Sequence, residues 1–194
     1  MLIVNRELLI VYCMLPPGHI AAGFLTAKAL LHFAHPELSP IQQTHLLWWG
    51  AFFGFAPDLD NFVAFAKVRA WWYKRGVDSA IHRKFYSHLP ILWLAAGLLI
   101  YFFAQSPYYK MFGLVVWLGS WSHFLLDSID LYGIMWLWPF NKGIWALKNR
   151  GKVVKIPAES FFGYWFNFLK FYVTSWTFYA EIVLLISVLF FLFT

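Results

Sequence analysis

Residues Gly119–Phe140 read GSWSHFLLDSIDLYGIMWLWPF, a stretch that combines a very apolar helix with ionisable side chains. At about 100° per residue, four polar residues fall within an arc of roughly 80° on one helix face; they are Ser120, His123, Asp127 and Asp130. Ionisable groups at membrane depth are costly and normally face a polar interior. His123 and Asp127, one turn apart, are suited to holding a metal ion from one helix face, or to forming a hydrogen bond that ties two helices together.

The composition of the chain indicates whether this helix is surrounded by water or by lipid. The chain has 194 residues, of which 61% are hydrophobic, 23% aromatic and 12% charged. A soluble domain of this size is nearer half apolar and about one quarter charged. The sequence therefore predicts an all-α, polytopic membrane protein whose residues 1–194 form one domain. The lone Cys13 excludes a thiolate metal cluster.

Five apolar runs predict a bundle of about five spanning helices, with the proline residues marking several of their ends. The runs cover residues 19–35, 46–56, 89–104, 111–127 and 171–194. Residues 1–15 are too short to span, and we interpret them as an interfacial helix or an extension.

The net charge of +6 lies mainly in two basic loops, at residues 67–84 and 142–155. Basic loops of bacterial-type inner membrane proteins stay on the cytoplasmic side, so the charge records orientation and does not indicate a nucleic-acid partner. Five crossings with both loops inside bring the His and Asp motifs to the cytoplasmic face. The motif residues were not used to choose this topology.

Four motifs are predicted to gather at that face. They are Gly18-His19 at the start of the first helix, Pro57-Asp58-Leu59-Asp60 after the second, His82-Arg83 with Ser87-His88 before the third, and His123 with Asp127. Each alone is also explained as a polar helix end, a turn or a cap. Together, histidines and aspartates without cysteine favour zinc, with manganese or iron as alternatives.

The ordered motifs resemble the YdjM-like family of membrane-bound metal-dependent hydrolases. The likeness runs from about Gly18 to Phe140 and is sharpest at Ser122-His123-Phe124-Leu125-Leu126-Asp127, with Gly133 and Trp138-Pro139. It is remotely similar to the ligand order of zinc-dependent phospholipase C. The resemblance implies one to three divalent ions, held by residues drawn from His19, Asp58, His82, His88, His123 and Asp127. Lys84 stands where the family has glycine and His88 comes one residue late, so the role of His88 stays open, as does the choice between Asp58 and Asp60.

The chemistry expected of such a site is hydrolysis by a metal-activated water, with a lipid or lipid-linked phosphoester in the membrane bilayer as substrate. Asp60 or Asp130 is the expected proton acceptor, and Arg83 the expected partner of the phosphoryl charge. Glu159 suits a helix start, and Glu181 interrupts the last span without an evident partner. The alternative is a metal-binding membrane protein without catalysis, which serves transport, sensing or assembly.

Overall fold

The computed structural model describes residues 7–10, 14–60, 85–129, 133–146, 154–157 and 161–193. These residues form six α-helices and two short strands: β1 Glu7–Ile10, α1 Pro16–Ala34, α2 Pro40–Phe55, α3 Pro90–Phe103, α4 Pro107–Ile129, β2 Val154–Pro157, α5 Phe161–Tyr172 and α6 Trp176–Phe193. Two 3₁₀ turns, Ala56–Leu59 and Tyr86–His88, follow α2 and precede α3. The all-α prediction is therefore confirmed, apart from the two strands.

Proline and local caps set the helix starts. Proline occupies the first turn of α1, α2 and α3, where its missing N–H is not needed by the helix. At α2, Ser39 and Gln42 form a reciprocal capping box. His35 ends α1 in the left-handed conformation with φ 42°, and Pro36 prevents the helix from continuing.

Glycines let α1 and α2 pack closely. A methyl group on Gly23 would lie 2.1 Å from the carbonyl oxygen of Gly50 and 2.8 Å from the Cα atom of Gly54. Small residues at such crossings allow backbones to approach without side chains between them. Farther along the same helices, an apolar core joins α1 and α2 to α4; it consists of Ala27, Leu31, Leu46, Met111 and Val115.

Two helices, α4 and α6, are long and apolar enough to cross a membrane. α3 is apolar but has 14 residues. The prediction of five spans is thus supported directly for two of the helices in the described ranges. On α6, exposed Val183, Ile186 and Phe190 form an apolar surface that suits contact with lipid.

Three predictions of local structure are wrong. The second helix begins at Pro40 and not at Leu46, where the apolar run begins. The last apolar run does not begin a helix at Phe171, because α5 ends at Tyr172 and a turn separates it from α6. Ser175 caps α6 by accepting a hydrogen bond from the N–H of Phe178 at 3.2 Å. Glu7–Ile10 is not part of an interfacial helix, since it pairs antiparallel with Val154–Pro157.

Candidate metal centre

Four separate segments bring His and Asp side chains to one end of the bundle. His19 lies in the first turn of α1, and Asp58 lies in the 3₁₀ turn that follows α2. His88 ends the 3₁₀ turn before α3, while His123 and Asp127 lie in the last two turns of α4. Because α1 and α3 begin at this end and α2 and α4 end there, residues far apart in sequence meet.

His123 is at the centre of the cluster. Its Nε2 lies 3.4 Å from Asp127 Oδ2 and 3.7 Å from Asp58 Oδ1. Its ring centroid lies 4.1 Å from that of His19 and 5.4 Å from that of His88. The rings of three histidines therefore converge on two carboxylates.

The outer histidines reach the same carboxylates from two sides. His19 Nε2 lies 3.6 Å from Asp127 Oδ1. His88 Nε2 lies 3.6 Å from Asp58 Oδ1 and 3.9 Å from Asp127 Oδ2. Each carboxylate thus faces at least two imidazoles. A cation bound between a carboxylate and these imidazoles would contact all of them.

Two overlapping groups of three residues have donor atoms close enough to hold a metal ion. One group is His19, Asp58 and His123, and the other is His88, His123 and Asp127; within each, the donor atoms lie within 4.8 Å of one another. His123 belongs to both. The three histidines are at most 1% exposed, whereas the Asp58 side chain is 14% exposed. Asp58 therefore marks the more open side of the cluster.

The ring of His123 is oriented by the backbone. Its Nδ1 lies 2.9 Å from the carbonyl oxygen of Gly54, which only accepts hydrogen bonds, so Nδ1–H is the donor. Nε2 then carries the lone pair that binds metals, as is usual for metal-ligating histidines. Within the described residues this buried Nε2 has no hydrogen-bond partner. A buried acceptor left in this way fits a metal ion.

Asp60 orients His88. Its Oδ2 lies 2.8 Å from His88 Nδ1 and also accepts a hydrogen bond from the Ser87 hydroxyl. His88 Nε2 consequently faces Asp58 and Asp127. The two aspartates of the Pro57-Asp58-Leu59-Asp60 motif thus have different positions: Asp58 among the donor atoms, and Asp60 behind His88.

The electrostatics of the two turns follow from this pairing, and both turns lie outside the spanning helices. Burial alone would raise the pKa of Asp58, but the nearby imidazoles of His123, His88 and His19 outweigh this effect and hold the pKa at about 2. Burial alone would lower the pKa of His88, but the carboxylates of Asp58 and Asp60 raise it to about 9. The two carboxylates therefore favour the protonated form of His88.

The structure brings together His19, Asp58, His88, His123 and Asp127 out of the residues predicted to bind metal. His82, Arg83, Asp130 and Glu159 lie outside the described residues, as do the first basic loop and residues 147–153 of the second. The sequence reasoning missed the carbonyl of Gly54. Its signal was the Gly50-x-x-x-Gly54 spacing in α2, which is typical of a helix that packs closely.

The three imidazoles and two carboxylates are groups that could hold a metal ion, and the choice among zinc, manganese and iron stays a prediction. The donor set contains no thiolate, which separates it from sites for copper(I) or iron–sulfur clusters.

Comparison with known families matches residues 14–194 to the model of a family described as YdjM inner membrane protein. The match covers most of the chain and confirms the resemblance that the motifs indicated. Searches of curated proteins and of solved structures find no match.

Proposed function

The chain belongs to the YdjM inner membrane protein family, and we propose that it is a membrane-bound, metal-dependent hydrolase of phosphoesters in lipids or lipid-linked compounds. The observation that carries the proposal is the convergence of donor atoms from four segments on His123. Burial of three histidines and a carboxylate in one place is costly, and such burial favours a functional site over a set of independent helix caps.

The residues that would hold the metal are His19, Asp58, His88, His123 and Asp127. A structural zinc site is closed by four protein ligands, whereas a catalytic site keeps a position open. Five donor residues in two overlapping groups exceed the need of one closed site, and they support a centre with more than one ion. A bound divalent metal supplies a water of lowered pKa and a charge that holds a phosphoryl oxygen.

The protein's own residues have separate parts in this proposal. His123 offers a fixed lone pair because Gly54 holds its other nitrogen. Asp58 lies at the open side, where a substrate would arrive. Asp60 orients His88. In this proposal that role takes the place of the proton-acceptor role expected for Asp60 from the sequence. Asp130 stays the candidate acceptor and Arg83 the candidate partner of the phosphoryl charge.

Five crossings remain the membrane arrangement that we propose. Glu181 of α6 contacts the N-terminal end of α1 at Gly18, and Phe191 lies near Lys28, farther along α1. The first and last helices therefore run parallel, as an odd number of crossings requires. With 19 residues α1 is about 28 Å long, close to the hydrocarbon thickness of about 30 Å. The basic loops favour the cytoplasmic leaflet as the side of the metal centre.

A metal-binding protein without catalysis is the competing function. A transporter requires ionisable groups along a path across the bilayer. Among the described residues, the buried ionisable side chains are His19, His88, His123, Asp127 and Glu181, and all lie at the same end of the bundle. This distribution favours an enclosed site over a pathway.

The test is headgroup release from extracted membrane lipids by detergent-purified protein with its metal restored. We expect turnover by the wild type and none by His123→Ala and Asp127→Ala variants that retain the wild-type helical content. Cleavage of soluble phosphodiesters but of no lipid would contradict the lipid substrate. Full metal occupancy without any turnover would favour the competing function.

A further inference from the structure

Glu181 is a buried carboxylate in the second turn of α6, among apolar neighbours. It is 4% exposed, and its neighbours along α6 are alanine, isoleucine, valine and leucine. A carboxylate in such a place is retained only where specific partners compensate for its lost hydration. Its contacts therefore indicate what it does.

The partners of Glu181 are polar groups of α1 and α5. Its Oε1 accepts hydrogen bonds from the backbone N–H of Leu15 at 2.5 Å and of Gly18 at 3.2 Å. Its Oε2 accepts a hydrogen bond from the Tyr172 hydroxyl. The first N–H groups of a helix have no partner within the helix and favour a negative charge. Glu181 thus caps α1 from a different helix, 163 residues away in the chain.

Gly18 makes this approach feasible. A methyl group at Gly18 would lie 2.5 Å from Glu181 Cγ and 2.6 Å from Oε1. The Cβ atom of any other residue at position 18 would push the carboxylate away from the N–H groups that donate hydrogen bonds to it. The Gly18-His19 pair therefore has two parts: the glycine admits Glu181, and the next residue enters the metal centre.

His19 follows directly after this anchor point. It is 1% exposed, its ring centroid lies 4.1 Å from that of His123 with the two rings tilted by 32°, and its Nε2 lies 3.6 Å from Asp127. A shift of the first turn of α1 would move the His19 ring relative to both. We propose that Glu181 is a positioning residue of the metal centre, which holds His19 in place through the backbone of the first turn of α1. This inference rests on the proposed function, because it requires that His19 binds a metal.

Glu181 acts on the centre from outside it. Its two oxygens face Leu15, Gly18 and Tyr172, and within the described residues the groups able to hold a metal do not include it. In this inference α5 and α6 support the metal centre through Glu181, while the described side chains of these two helices do not belong to the groups that could hold the metal.

The experiment measures the Zn²⁺ dissociation constant and the Co²⁺ absorption spectrum of the full chain in detergent. The variants are Glu181→Leu, Glu181→Gln, His19→Ala and the double variant Glu181→Leu with His19→Ala. Thr177→Val is the matched control, since Thr177 is buried on α6 and its hydroxyl contacts Ser175. Thermal unfolding of each variant reports stability separately.

We expect Glu181→Leu to weaken Zn²⁺ binding by at least about tenfold, as removal of an orienting partner does, and to alter the Co²⁺ spectrum. Glu181→Gln keeps an acceptor oxygen and should restore part of the affinity. Because Glu181 acts through His19, the double variant should bind no more weakly than His19→Ala alone. If Glu181→Leu does not fold, the same comparison is made with Glu181→Gln.

Two results overturn the inference while leaving the proposed function intact. One is unchanged Zn²⁺ affinity in the Glu181 variants, with only their thermal stability lowered. The other is a double variant whose loss of Zn²⁺ affinity equals the product of the fold-losses in the two single variants. A wild-type chain that binds no metal would overturn both the inference and the proposed function.

Discussion

His123 Nδ1 lies 2.9 Å from the backbone carbonyl oxygen of Gly54, so the central histidine of the cluster is oriented by the backbone of α2. The position of Gly54 depends in turn on the close contact between α1 and α2. Helix packing and ligand geometry are therefore linked, and substitutions some distance from the cluster should change its affinity for metal.

The first prediction concerns that contact. Gly23→Ala should lower stability by about 1–3 kcal/mol, as overpacking does, and should weaken Zn²⁺ binding, because the new methyl group would lie 2.1 Å from the carbonyl oxygen of Gly50. Alanine has a higher helix propensity than glycine, which by itself would raise stability. The expected loss of stability is therefore opposite in sign to the effect of helix propensity. Thermal unfolding and Zn²⁺ titration measure it. Gly143→Ala, at an exposed position, is the control, and equal behaviour of the two variants would contradict the account.

The second prediction separates two roles for Asp60. If Asp60 orients His88, as its 2.8 Å contact with Nδ1 indicates, Asp60→Ala should weaken metal binding by about 10–100-fold. Ser87→Ala, which removes the other partner of the same oxygen, should have a smaller effect in the same direction. A loss of turnover at unchanged metal affinity would instead favour Asp60 as the proton acceptor.

The third prediction concerns how stability depends on pH. The stability of the metal-free protein should fall as the pH rises, whereas the stabilisation caused by Zn²⁺ should grow. The His88 pKa is raised from 6.5 to about 9 in the folded, metal-free protein. This contribution to stability is fully present below pH 6.5 and is lost as the pH rises through 9.

Metal binding requires the neutral imidazole, so the metal displaces this proton and binds more tightly at higher pH. The midpoint of thermal unfolding should fall with rising pH without Zn²⁺, while the increase caused by Zn²⁺ should grow. A Zn²⁺-induced increase that is independent of pH would argue against His88 as a ligand.

The fourth prediction concerns the number of ions. His123 belongs to both groups of donor atoms, whereas His19 and His88 each belong to one. His123→Ala should therefore abolish metal binding, while His19→Ala and His88→Ala should each retain part of the wild-type metal content. Elemental analysis of the three proteins, with His45→Ala as a control in the exposed part of α2, measures this. Equal and complete loss in all three would indicate a single ion that needs every ligand.

Much of the helical architecture followed from the sequence. Pro17 predicted the start of α1 and the apolar run from residue 89 the start of α3, whereas α2 begins at Pro40, before the run predicted from residue 46. Alternation of the spans predicted that His19, Asp58, His88 and Asp127 would meet at one end, and the distances between them confirm this. The five crossings from which this inference was drawn stay a prediction, since two of the described helices are long and apolar enough to span a membrane.

Other features depended on tertiary contacts that the sequence does not record. The different positions of Asp58 and Asp60 arise from the direction of a 3₁₀ turn. The local sequence does not distinguish the two residues, because both are aspartates of the same short motif. The break between α5 and α6 relies on Ser175 as a cap inside an aromatic run. The partner of Glu181 is backbone N–H from α1, which no side-chain pattern could have indicated.

X-ray absorption at the zinc edge of the detergent-purified, Zn²⁺-loaded chain tests the central claim most directly, namely that this His and Asp cluster binds a divalent metal. We expect bound zinc with only nitrogen and oxygen neighbours at about 2.0–2.2 Å, with the scattering pattern of imidazole rings that is lost in His123→Ala. A sulfur neighbour, zinc without imidazole, or a folded wild-type chain that retains no zinc would contradict the account.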